Sequence, residues 1–358
     1  MKIAVFHELT PLSGARKVVE EYGKIIGKEH EVDLYYIDDK QDDNVLQIFN
    51  KVHYFKFESS KSRIYRDSIE LIRLFLLHRK IAKIMKGKGY DFVFVSPSKF
   101  TQAPFLLRFI DKTVYFCQEP LRIVYDSFLE IPKNLNLQKL FYEKINRKIR
   151  EIIDKRSIWA AQVVLANSNY SRQHIKKAYG IKSHVCYLGV DVEKFRPLST
   201  RKTQDILFVG EKVAIEGYDL LEQAWKLYKG KPSVRYIIRN EKGEGVPEDK
   251  LIETINSSKI VLALSKNEPF GLIPIESMSC EVPVIVVNEG GFKESMINGK
   301  TGFLIERDPK ELKDKIDLLL SDDKLRMEMG KTGRKLVLDK FTWTKSANKF
   351  LNIAKKII

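Results

Sequence analysis

The sequence is poor in the residues from which metal sites and disulfide frameworks are built. Its 358 residues include 3 cysteines and 6 histidines. Cys117, Cys186 and Cys280 lie far apart and have no Cys-x-x-Cys spacing, so they indicate neither a metal site nor a disulfide framework. We interpret all three as small buried residues.

Long apolar segments are also missing. No stretch approaches the roughly 18 uninterrupted apolar residues that cross a bilayer. The N-terminus, MKIAVFHELT, turns polar at His7 after a short apolar run, which is too short for the core of a signal peptide. This run predicts a first β-strand, and we expect a cytoplasmic protein.

The composition is that of a soluble globular protein with a large positive charge. Apolar residues make up 44% and charged residues 31%, and the length suits two domains. The formal net charge is +16. Nucleic acid, an anionic membrane surface and phosphorylated substrates are all partners that would suit such a charge, and solvated surface lysines would also produce it. The charge alone does not choose among them.

The first half alternates apolar runs with helical patterns. Apolar strands separated by helices indicate a parallel sheet covered by helices on both faces. A turn at Ser13–Gly14 leads into a predicted helix, Arg16–Gly27. The predicted strands are Lys2–Phe6, Val32–Ile37, Val52–Phe57, Asp91–Val95 and Thr113–Phe116.

Two basic helical segments, Ser62–Lys88 and Lys139–Trp159, interrupt this alternation. Each contains apolar residues at helical spacing among many lysines and arginines. The simpler interpretation is an amphipathic helix packed on the sheet. The alternative is a surface that lies on anionic lipid, with apolar residues in the membrane and basic residues at the headgroups.

A second strand–helix series follows a capped helix at Ser171–Tyr179 and a connector at Gly189–Pro197. We predict an α/β protein of the GT-B kind, in which two Rossmann-like doubly wound domains face each other across a ligand-binding cleft. The predicted domains are residues 1–197 and 198–340, with a C-terminal helix in 341–358 that packs back on the first. The later strands are expected at Gln162–Ala166, Val185–Leu188, Ile206–Val209, Val234–Ile238, Ile260–Leu264, Val284–Val287 and Phe303–Ile305.

The most informative stretch is Ser265–Glu294, which follows a predicted buried strand. It therefore lies at the carboxyl end of that strand, where α/β sheets bind ligands. Backbone N–H groups of Gly271 and Leu272, at the start of a helix, suit an anionic diphosphate. Carboxylates are hydrogen-bond acceptors, so Glu276 suits a ribose diol and Glu268 suits sugar hydroxyls.

This stretch resembles the retaining glycosyltransferases of family four, which have the GT-B fold. The family's Glu-Pro-Phe-Gly-Leu loop corresponds to Glu268–Leu272, and its second glutamate corresponds to Glu276. The resemblance covers about residues 160–345, and it is looser at Ser13-Gly14-Ala15. Further matching strings are Ala166-Asn167-Ser168, Gly189-Val190-Asp191, Phe195-Arg196-Pro197, Gly290-Gly291-Phe292-Lys293-Glu294, Asn298–Leu304 and Phe341-Thr342-Trp343.

The resemblance implies transfer of a sugar from a UDP- or GDP-type donor to a glycan or lipid-linked saccharide, with retention of configuration. The acceptor would lie in the N-terminal domain, and no metal or other cofactor would be needed, since the matched segments contain no Asp-x-Asp motif. The implied catalytic residues are Glu268 and Gln118. The implied donor-binding residues are Gly14, Gly210, Lys212, Phe270, Gly271, Leu272, Glu276 and Lys293.

The sequence departs from the family pattern in three places. Glu211 and Glu216 stand where the family has an arginine and a lysine that grip the diphosphate, so Lys212 and Lys293 are the candidate replacements. Gln118 stands at the position of a histidine, and it can hydrogen-bond a sugar but cannot carry a titratable proton. Glu281 replaces a turn glycine and needs backbone angles that a glutamate accepts.

Several alternatives stay open at the level of sequence. The departures above also fit a glycosyltransferase-like scaffold or sugar-binding subunit that has lost donor turnover. A phosphorylase or epimerase of the same fold is less favoured by the motifs. Nucleic-acid binding is disfavoured, since the sequence has no helix-turn-helix, zinc-finger or RNA-recognition pattern. His7, at a predicted strand end, is either a structural residue or a contact to acceptor or sugar.

Overall fold

The chain forms two compact units. A computed structural model describes residues 1–8, 14–41, 47–60, 62, 66–126, 131, 135–230, 232–237 and 246–358. The N-terminal unit comprises Met1–Cys186 with Ala347–Ile358, and the C-terminal unit comprises Tyr187–Ser346. Ser13, which the sequence places in a turn, lies outside the described residues, as does Ile238 at the end of a predicted strand.

A parallel seven-stranded sheet forms the centre of the N-terminal unit. Its spatial order is β3-β2-β1-β4-β5-β6-β7. In register, Ile3 of β1 lies opposite Val32 of β2 on one side and Phe92 of β4 on the other. The apolar runs become the strands β1 Lys2–Glu8, β2 Glu31–Asp38, β3 Lys51–Lys56, β4 Phe92–Val95, β5 Thr113–Phe116, β6 Val163–Ala166 and β7 His184–Val185.

Helices connect these strands and cover the sheet. The first, α1, buries Ala15, Val18, Val19, Tyr22 and Ile26, which recur at the spacing of one helix face. The helices of this unit are α1 Gly14–Ile26, α2 Leu71–Lys86, α3 Arg122–Tyr125, α4 Leu137–Ile158 and α5 Asn169–Tyr179. A π-helical turn, Arg66–Glu70, precedes α2.

The ends of α5 follow from its flanking residues. The Ser168 side chain accepts a hydrogen bond from the Ser171 N–H at 2.9 Å and so caps the first turn. Gly180 ends the helix with φ of 72°, a left-handed conformation that glycine adopts without a steric penalty. The sequence predicts both signals.

A parallel five-stranded sheet forms the centre of the C-terminal unit, in the order β12-β11-β10-β8-β9. Two helices that the sequence analysis did not predict, Pro309–Ser321 and Asp323–Lys340, begin at capping aspartates. The strands are β8 Gln204–Val209, β9 Val234–Ile237, β10 Ser258–Ala263, β11 Val284–Val287 and β12 Gly302–Ile305. The helices are α6 Tyr218–Lys226, α7 Glu248–Ser257, α8 Leu272–Ser279, α9 Phe292–Ser295, α10 Pro309–Ser321, α11 Asp323–Lys340 and α12 Trp343–Ala354.

The division between the units lies after Cys186, whereas the sequence analysis placed it near Pro197. The connector joins the contacts of the C-terminal unit, because the Ser279 hydroxyl donates to the Phe195 carbonyl at 2.5 Å and the Val190 N–H donates to the Phe341 carbonyl at 2.9 Å. The end of α12 is counted with the N-terminal unit, where the Phe350 ring contacts the ring of Phe94.

Glu281 has the backbone conformation of the glycine that it replaces. Its φ is +57°, in the left-handed region that costs a non-glycine residue about 1–2 kcal/mol. Gly330 of α11 packs against this turn, since a Cβ there would lie 2.1 Å from the Glu281 carbonyl oxygen. The turn is therefore fixed by packing rather than by the preference of its own residue.

The orientation of α4 differs from the simpler prediction for a basic amphipathic helix. Most of its buried residues are polar, including Glu143, Asn146, Arg150 and Asp154, whereas most of its apolar residues before Ile158 are exposed. The polar face is held inside by specific bonds, such as that from the Arg150 guanidinium to the Phe100 carbonyl at 2.7 Å. Of the helices that the structure describes, none combines the length and apolar content needed to cross a membrane.

Candidate donor-binding site

The predicted donor loop follows the central strand of the second sheet. Strand β10 lies third of five, and the loop Ser265–Gly271 leaves its carboxyl end and leads into α8. Gly271 is the residue before the helix, and no side chain caps its first turn. Unpaired N–H groups at the start of a helix attract an anion. The structure therefore places the motif where an α/β sheet binds ligands.

Two glycines hold this loop against the segment that follows β11. A Cβ on Gly290, whose φ is +59°, would lie 2.4 Å from the carbonyl oxygen of Glu268. The Gly291 N–H donates to that carbonyl at 2.8 Å, and a Cβ on Gly291 would lie 2.2 Å from the Pro269 carbonyl oxygen. Only glycine permits this approach. The match of the Gly290-Gly291 string therefore has a steric basis.

The two glutamates of the motif have different environments. Glu276 is buried, with 3% of its surface exposed, and Glu268 is half-buried. Glu268 lies beside the helix start, because its Cγ is 3.4 Å from where a Cβ on Gly271 would be. A buried carboxylate needs hydrogen-bonding or charged partners. Among the described side chains of the C-terminal unit, Glu276 is the one acidic or basic group that is buried.

Aromatic rings support the loop from inside the unit. Phe270 is buried, and its ring centroid lies 5.9 Å from that of Tyr187 and 5.8 Å from that of Phe341. The Tyr187 hydroxyl donates to the Glu294 carboxylate at 2.9 Å. Phe270 therefore anchors the loop by packing. Tyr187 could not be selected from the sequence, because it lies within an ordinary strand pattern and carries no local signal.

Gly210 and Glu216 lie at the end of β8, beside the base of the loop. The Ser265 hydroxyl donates to Glu216 Oε2 at 2.7 Å. The same oxygen lies 3.2 Å from where a Cβ on Gly210 would be. The carboxylate thus lies between Gly210 and Ser265, where the family has a cation. Glu211, in contrast, is exposed.

The three lysines considered for the donor site have different environments. Lys212 Nζ lies 4.7 Å from the centre of the Tyr236 ring and 5.7 Å from that of Tyr218, an arrangement typical of a cation–π contact. Lys293 is exposed on the short helix α9. Lys266, which the sequence analysis did not select, lies two residues before Glu268, and its Nζ is 3.2 Å from the Asp219 carboxylate.

The other two predicted site residues lie together in the N-terminal unit. Gly14 begins α1, and Gln118 Oε1 lies 3.9 Å from where a Cβ on Gly14 would be. Gln118 is half-buried, and within the described part of the chain its buried Nε2 has no hydrogen-bond partner. A buried amide donor of this kind is suited to a ligand acceptor atom. Gly14 and Gln118 therefore form one polar position in this unit.

His7 lies inside β1 rather than at its end, which corrects the sequence analysis. It is buried, and its Nδ1 lies 3.0 Å from the Ser96 hydroxyl. Burial, followed by the nearby Arg16 charge, lowers the pKa of His7 to about 3. The ring is neutral at physiological pH, and we interpret it as a structural residue of the N-terminal unit.

The described residues contain no group of three or more histidine, cysteine, aspartate or glutamate side chains placed to hold a metal ion. The three cysteines are buried, and none of them forms a disulfide. Burial raises the pKa of the Cys280 thiol to about 12, so this thiol stays protonated.

Part of the C-terminal unit matches the model of a known protein family. The model of the family described as "Glycosyl transferases group 1" matches residues 243–336, which include the loop, both glutamates and the Gly290-Gly291 turn. Over these residues the chain is similar to the group 1 glycosyltransferases. The group 1 segment thus contains most of the predicted donor site.

Relatives and solved structures agree with this assignment. Human alpha-1,3/1,6-mannosyltransferase ALG2 is 26% identical over 250 residues, which are 56% of this chain and 60% of that protein. The chain spans less than two thirds of the length of the curated relatives that it matches. The fold is similar to that of sucrose-phosphate synthase from Thermosynechococcus elongatus, with a TM-score of 0.74, 15% identity and coverage of 100% of this chain and 99% of that one.

A third comparison concerns a structure with a bound donor. Anabaena Alr3699/HepE in complex with UDP-glucose has a TM-score of 0.69 and 15% identity, and the match covers 99% of this chain and all of that one. At this identity the likeness shows the fold alone. The protein described here therefore has the GT-B fold, with two Rossmann-like domains.

Proposed function

We propose that this protein transfers a sugar from a nucleotide-diphosphate sugar, of the UDP or GDP type, to a glycan or lipid-linked saccharide, with retention of configuration. The observation that carries the proposal is the geometry of the donor loop. Glu268–Leu272 is fixed between the end of β10 and the Gly290-Gly291 turn, with an uncapped helix start beside a buried glutamate. Of the proteins named above, human ALG2 is a mannosyltransferase and Anabaena Alr3699/HepE binds UDP-glucose, which supports the same donor class.

Each part of the loop has a role in this proposal. N–H groups at the start of α8 would meet the diphosphate and stabilise its charge as it leaves. Glu276 would accept hydrogen bonds from the ribose diol, and Glu268 would orient the sugar. Phe270 would hold the loop in place, and Gly210 would leave room for the donor. The proposal needs no metal, because backbone dipoles and lysines would balance the diphosphate.

The cationic part of the site would differ from that of the family. Glu216 sits beside Gly210 and is bonded to Ser265, so a carboxylate lies at the base of the loop. We propose that Lys293 and Lys212 supply the positive charge, and that Lys266 adds to it. A positive charge close to a diphosphate stabilises it by several kcal/mol at low effective dielectric. This attraction would offset the repulsion between the diphosphate and Glu216.

The acceptor would bind in the N-terminal unit, where Gln118 would donate a hydrogen bond to a sugar hydroxyl. A lipid-linked acceptor would place the protein at the cytoplasmic face of a membrane. An anionic surface is the further partner that the net charge of +16 suggests.

Donor screening on purified protein tests the proposal. We expect UDP or GDP to raise the melting temperature, and one of a range of UDP- and GDP-hexoses to be consumed when a glycan acceptor is present. Glu268→Ala should depress turnover by about 100-fold, on the scale of losing one group that stabilises the transition state, and leave binding of the free nucleotide nearly unchanged.

Glu328→Gln, an exposed glutamate on α11, is the matched control and should keep full activity. Two results would count against the proposal. Nucleotide binding without transfer to any acceptor would favour a sugar-binding scaffold. Wild-type turnover in Glu268→Ala would show that the catalytic assignment is wrong.

A further inference from the structure

Helix α4 exposes an apolar stripe along its first two thirds. Its five exposed apolar residues recur every three or four positions, which places them on one helix face. Their exposed fractions range from 41% to 83%. They are Leu137, Phe141, Ile145, Ile149 and Ile152. At 1.5 Å per residue, this stripe is roughly 22 Å long.

This face is not the usual outer face of a surface helix. A helix packed on a sheet normally buries its apolar stripe, but α4 exposes its apolar stripe and buries mainly polar side chains. The Arg150 guanidinium, paired with the Asp67 carboxylate, and the Asp154 carboxylate, which accepts from the Ala103 N–H at 2.8 Å, fix the polar face inward. Exposed apolar stripes of this size mark an interaction site.

The charges on the same face show what kind of partner it suits. The exposed residues of α4 other than the apolar ones are four cations and one amide, and none is acidic: Gln138, Lys139, Lys144, Lys148 and Arg156. Glu151, at the edge of the face, is half-buried and paired with Lys148 at 3.0 Å and Lys155 at 2.8 Å. The face is therefore both apolar and positively charged.

The segment that leads into and forms α2 has the same composition. Among the described side chains of residues 66–86, the exposed ones are apolar or basic apart from Ser68: Ile69, Ile72, Arg73, Leu76, Arg79, Lys80, Lys83 and Lys86. This segment is bound to α4, because the Tyr142 hydroxyl and the Asn146 amide donate to the Asp67 carboxylate at 2.8 Å and 2.6 Å. Both helices belong to the N-terminal unit.

We propose that the exposed face of α4 docks the protein on an anionic lipid bilayer. The helix lies in the plane of the interface, with Phe141 and Ile145 below the headgroups and Lys144 and Arg156 against lipid phosphates. A second copy of the chain would bring like charges together, and protein interfaces are poor in lysine. Nucleic acid would leave the apolar stripe in water. An anionic bilayer satisfies both features at once.

This inference rests on the proposed function, in which an anionic surface is a further partner, and it names the helix face that binds that surface. Its test measures membrane binding and no sugar transfer, so a failure of one proposal can be distinguished from a failure of the other. The full-length protein is sedimented with vesicles of phosphatidylcholine alone or with about 30% phosphatidylglycerol. We expect binding to the anionic vesicles, weakened by added salt, and little binding to the neutral ones. Lys144→Gln/Arg156→Gln should lower the partition coefficient roughly thirtyfold.

The apolar contribution is tested separately. Phe141→Ser/Ile145→Ser/Ile149→Ser should reduce binding to anionic vesicles at least tenfold. Two controls from the C-terminal unit alter exposed residues of the same kinds, Leu318→Ser/Met327→Ser/Leu338→Ser and Lys331→Gln/Lys335→Gln, and should bind like the wild type. The melting temperature of each variant verifies folding.

Trp159 provides a readout of insertion. It directly follows α4, is exposed and lies on the helix face of the apolar stripe. Its fluorescence should be quenched by brominated anionic lipid, and the quenching should be absent in Trp159→Phe. The proposal is overturned if the wild type ignores anionic vesicles, or if the helix variants bind like their controls. It is also overturned if light scattering shows a dimer that the serine variant dissociates.

Discussion

The two units use buried charge in different ways. In the N-terminal unit, several ionisable side chains are buried and contact other polar side chains or the backbone: His7, Glu8, Asp33, Glu70, His78, Glu143, Arg150 and Asp154. In the described part of the C-terminal unit, Glu276 is the one acidic or basic side chain that is buried. The first unit uses charge to fix its own fold, and the second keeps one carboxylate beside its ligand-binding edge.

This difference separates two sets of residues. Glu276 can be identified from its sequence motif, whereas the buried charged residues of the N-terminal unit cannot be identified from sequence. A buried ion pair such as Arg150–Asp67 adds little net stability, and it is costly only when one partner is removed. A buried carboxylate at the edge where an α/β sheet binds ligands is a candidate contact to a ligand. We therefore expect mutations of the buried charged residues of the N-terminal unit to change the free energy of unfolding. We expect a mutation of Glu276 to change donor binding.

Arg150→Ala gives the largest expected effect. It leaves the Asp67 carboxylate buried without its cation and the Phe100 carbonyl without a donor, so the N-terminal unit should lose about 3–5 kcal/mol of unfolding free energy. Urea unfolding followed by tryptophan fluorescence measures it. Protein that remains folded should bind nucleotide with wild-type affinity. A loss of less than about 1 kcal/mol of unfolding free energy would contradict the structural role assigned to the Arg150–Asp67 pair.

Asp154 should make the stability of the N-terminal unit depend on pH. Burial raises the pKa of Asp154 to about 7, while its bonds from Tyr179 and Ala103 act in the opposite direction. Because the folded state holds the proton more tightly, this contribution is complete below about pH 4 and is lost as the pH rises through 7. The loss amounts to about 4 kcal/mol at most.

The check compares the wild type with Asp154→Asn from about pH 4 to about pH 8. His7, whose pKa is lowered, destabilises the folded state as the pH falls below about 6.5, and it does so in both proteins. The difference in unfolding free energy between the two proteins therefore isolates Asp154. The wild type should lose stability relative to the variant as the pH rises, and a constant difference would contradict the assignment.

Glu276→Gln should do the reverse of Arg150→Ala. The amide keeps the shape of the side chain but loses the charge that strengthens hydrogen bonds to a ribose diol, so affinity for UDP or GDP should fall about 10- to 100-fold. The melting temperature without nucleotide should not fall, since a buried charge has been removed. Calorimetric titration measures the affinity, with Glu328→Gln as the control. A large loss of stability in Glu276→Gln with unchanged nucleotide affinity would show that this buried charge has a structural role, as in the N-terminal unit.

Lys293→Ala should have the smallest effect. Its ammonium group is exposed, so we expect a loss of nucleotide affinity of roughly three- to tenfold, which shrinks as salt is raised. Lys300→Ala, another exposed lysine of the same unit, should leave affinity unchanged. Equal effects of the two changes would indicate a general surface charge rather than a diphosphate contact.

The sequence predicted the strands and the position of the donor loop well, because both rest on local signals. Apolar runs between turn residues predicted β5 and β11 to the residue, and the predicted end of α5 at Tyr179 is confirmed, whereas the helix begins two residues before the predicted Ser171. The sequence could not predict what depends on partners distant in the chain. The contact of Glu216 with Ser265, 49 residues away, is one case.

The orientation of α4 is a second case. Apolar residues at helical spacing ordinarily mark the buried face, and here the buried face is polar because Asp67, Phe100 and Ala103 supply bonding partners. No local pattern reveals those partners. The exposed stripe, and the membrane docking that we propose from it, therefore became visible only in the folded structure.

A crystal soaked with UDP or GDP tests the central claim most directly. We predict nucleotide density beside Glu268–Leu272, with the diphosphate at the first turn of α8 and the ribose within hydrogen-bonding distance of Glu276. Density at any other place on the protein would contradict the account.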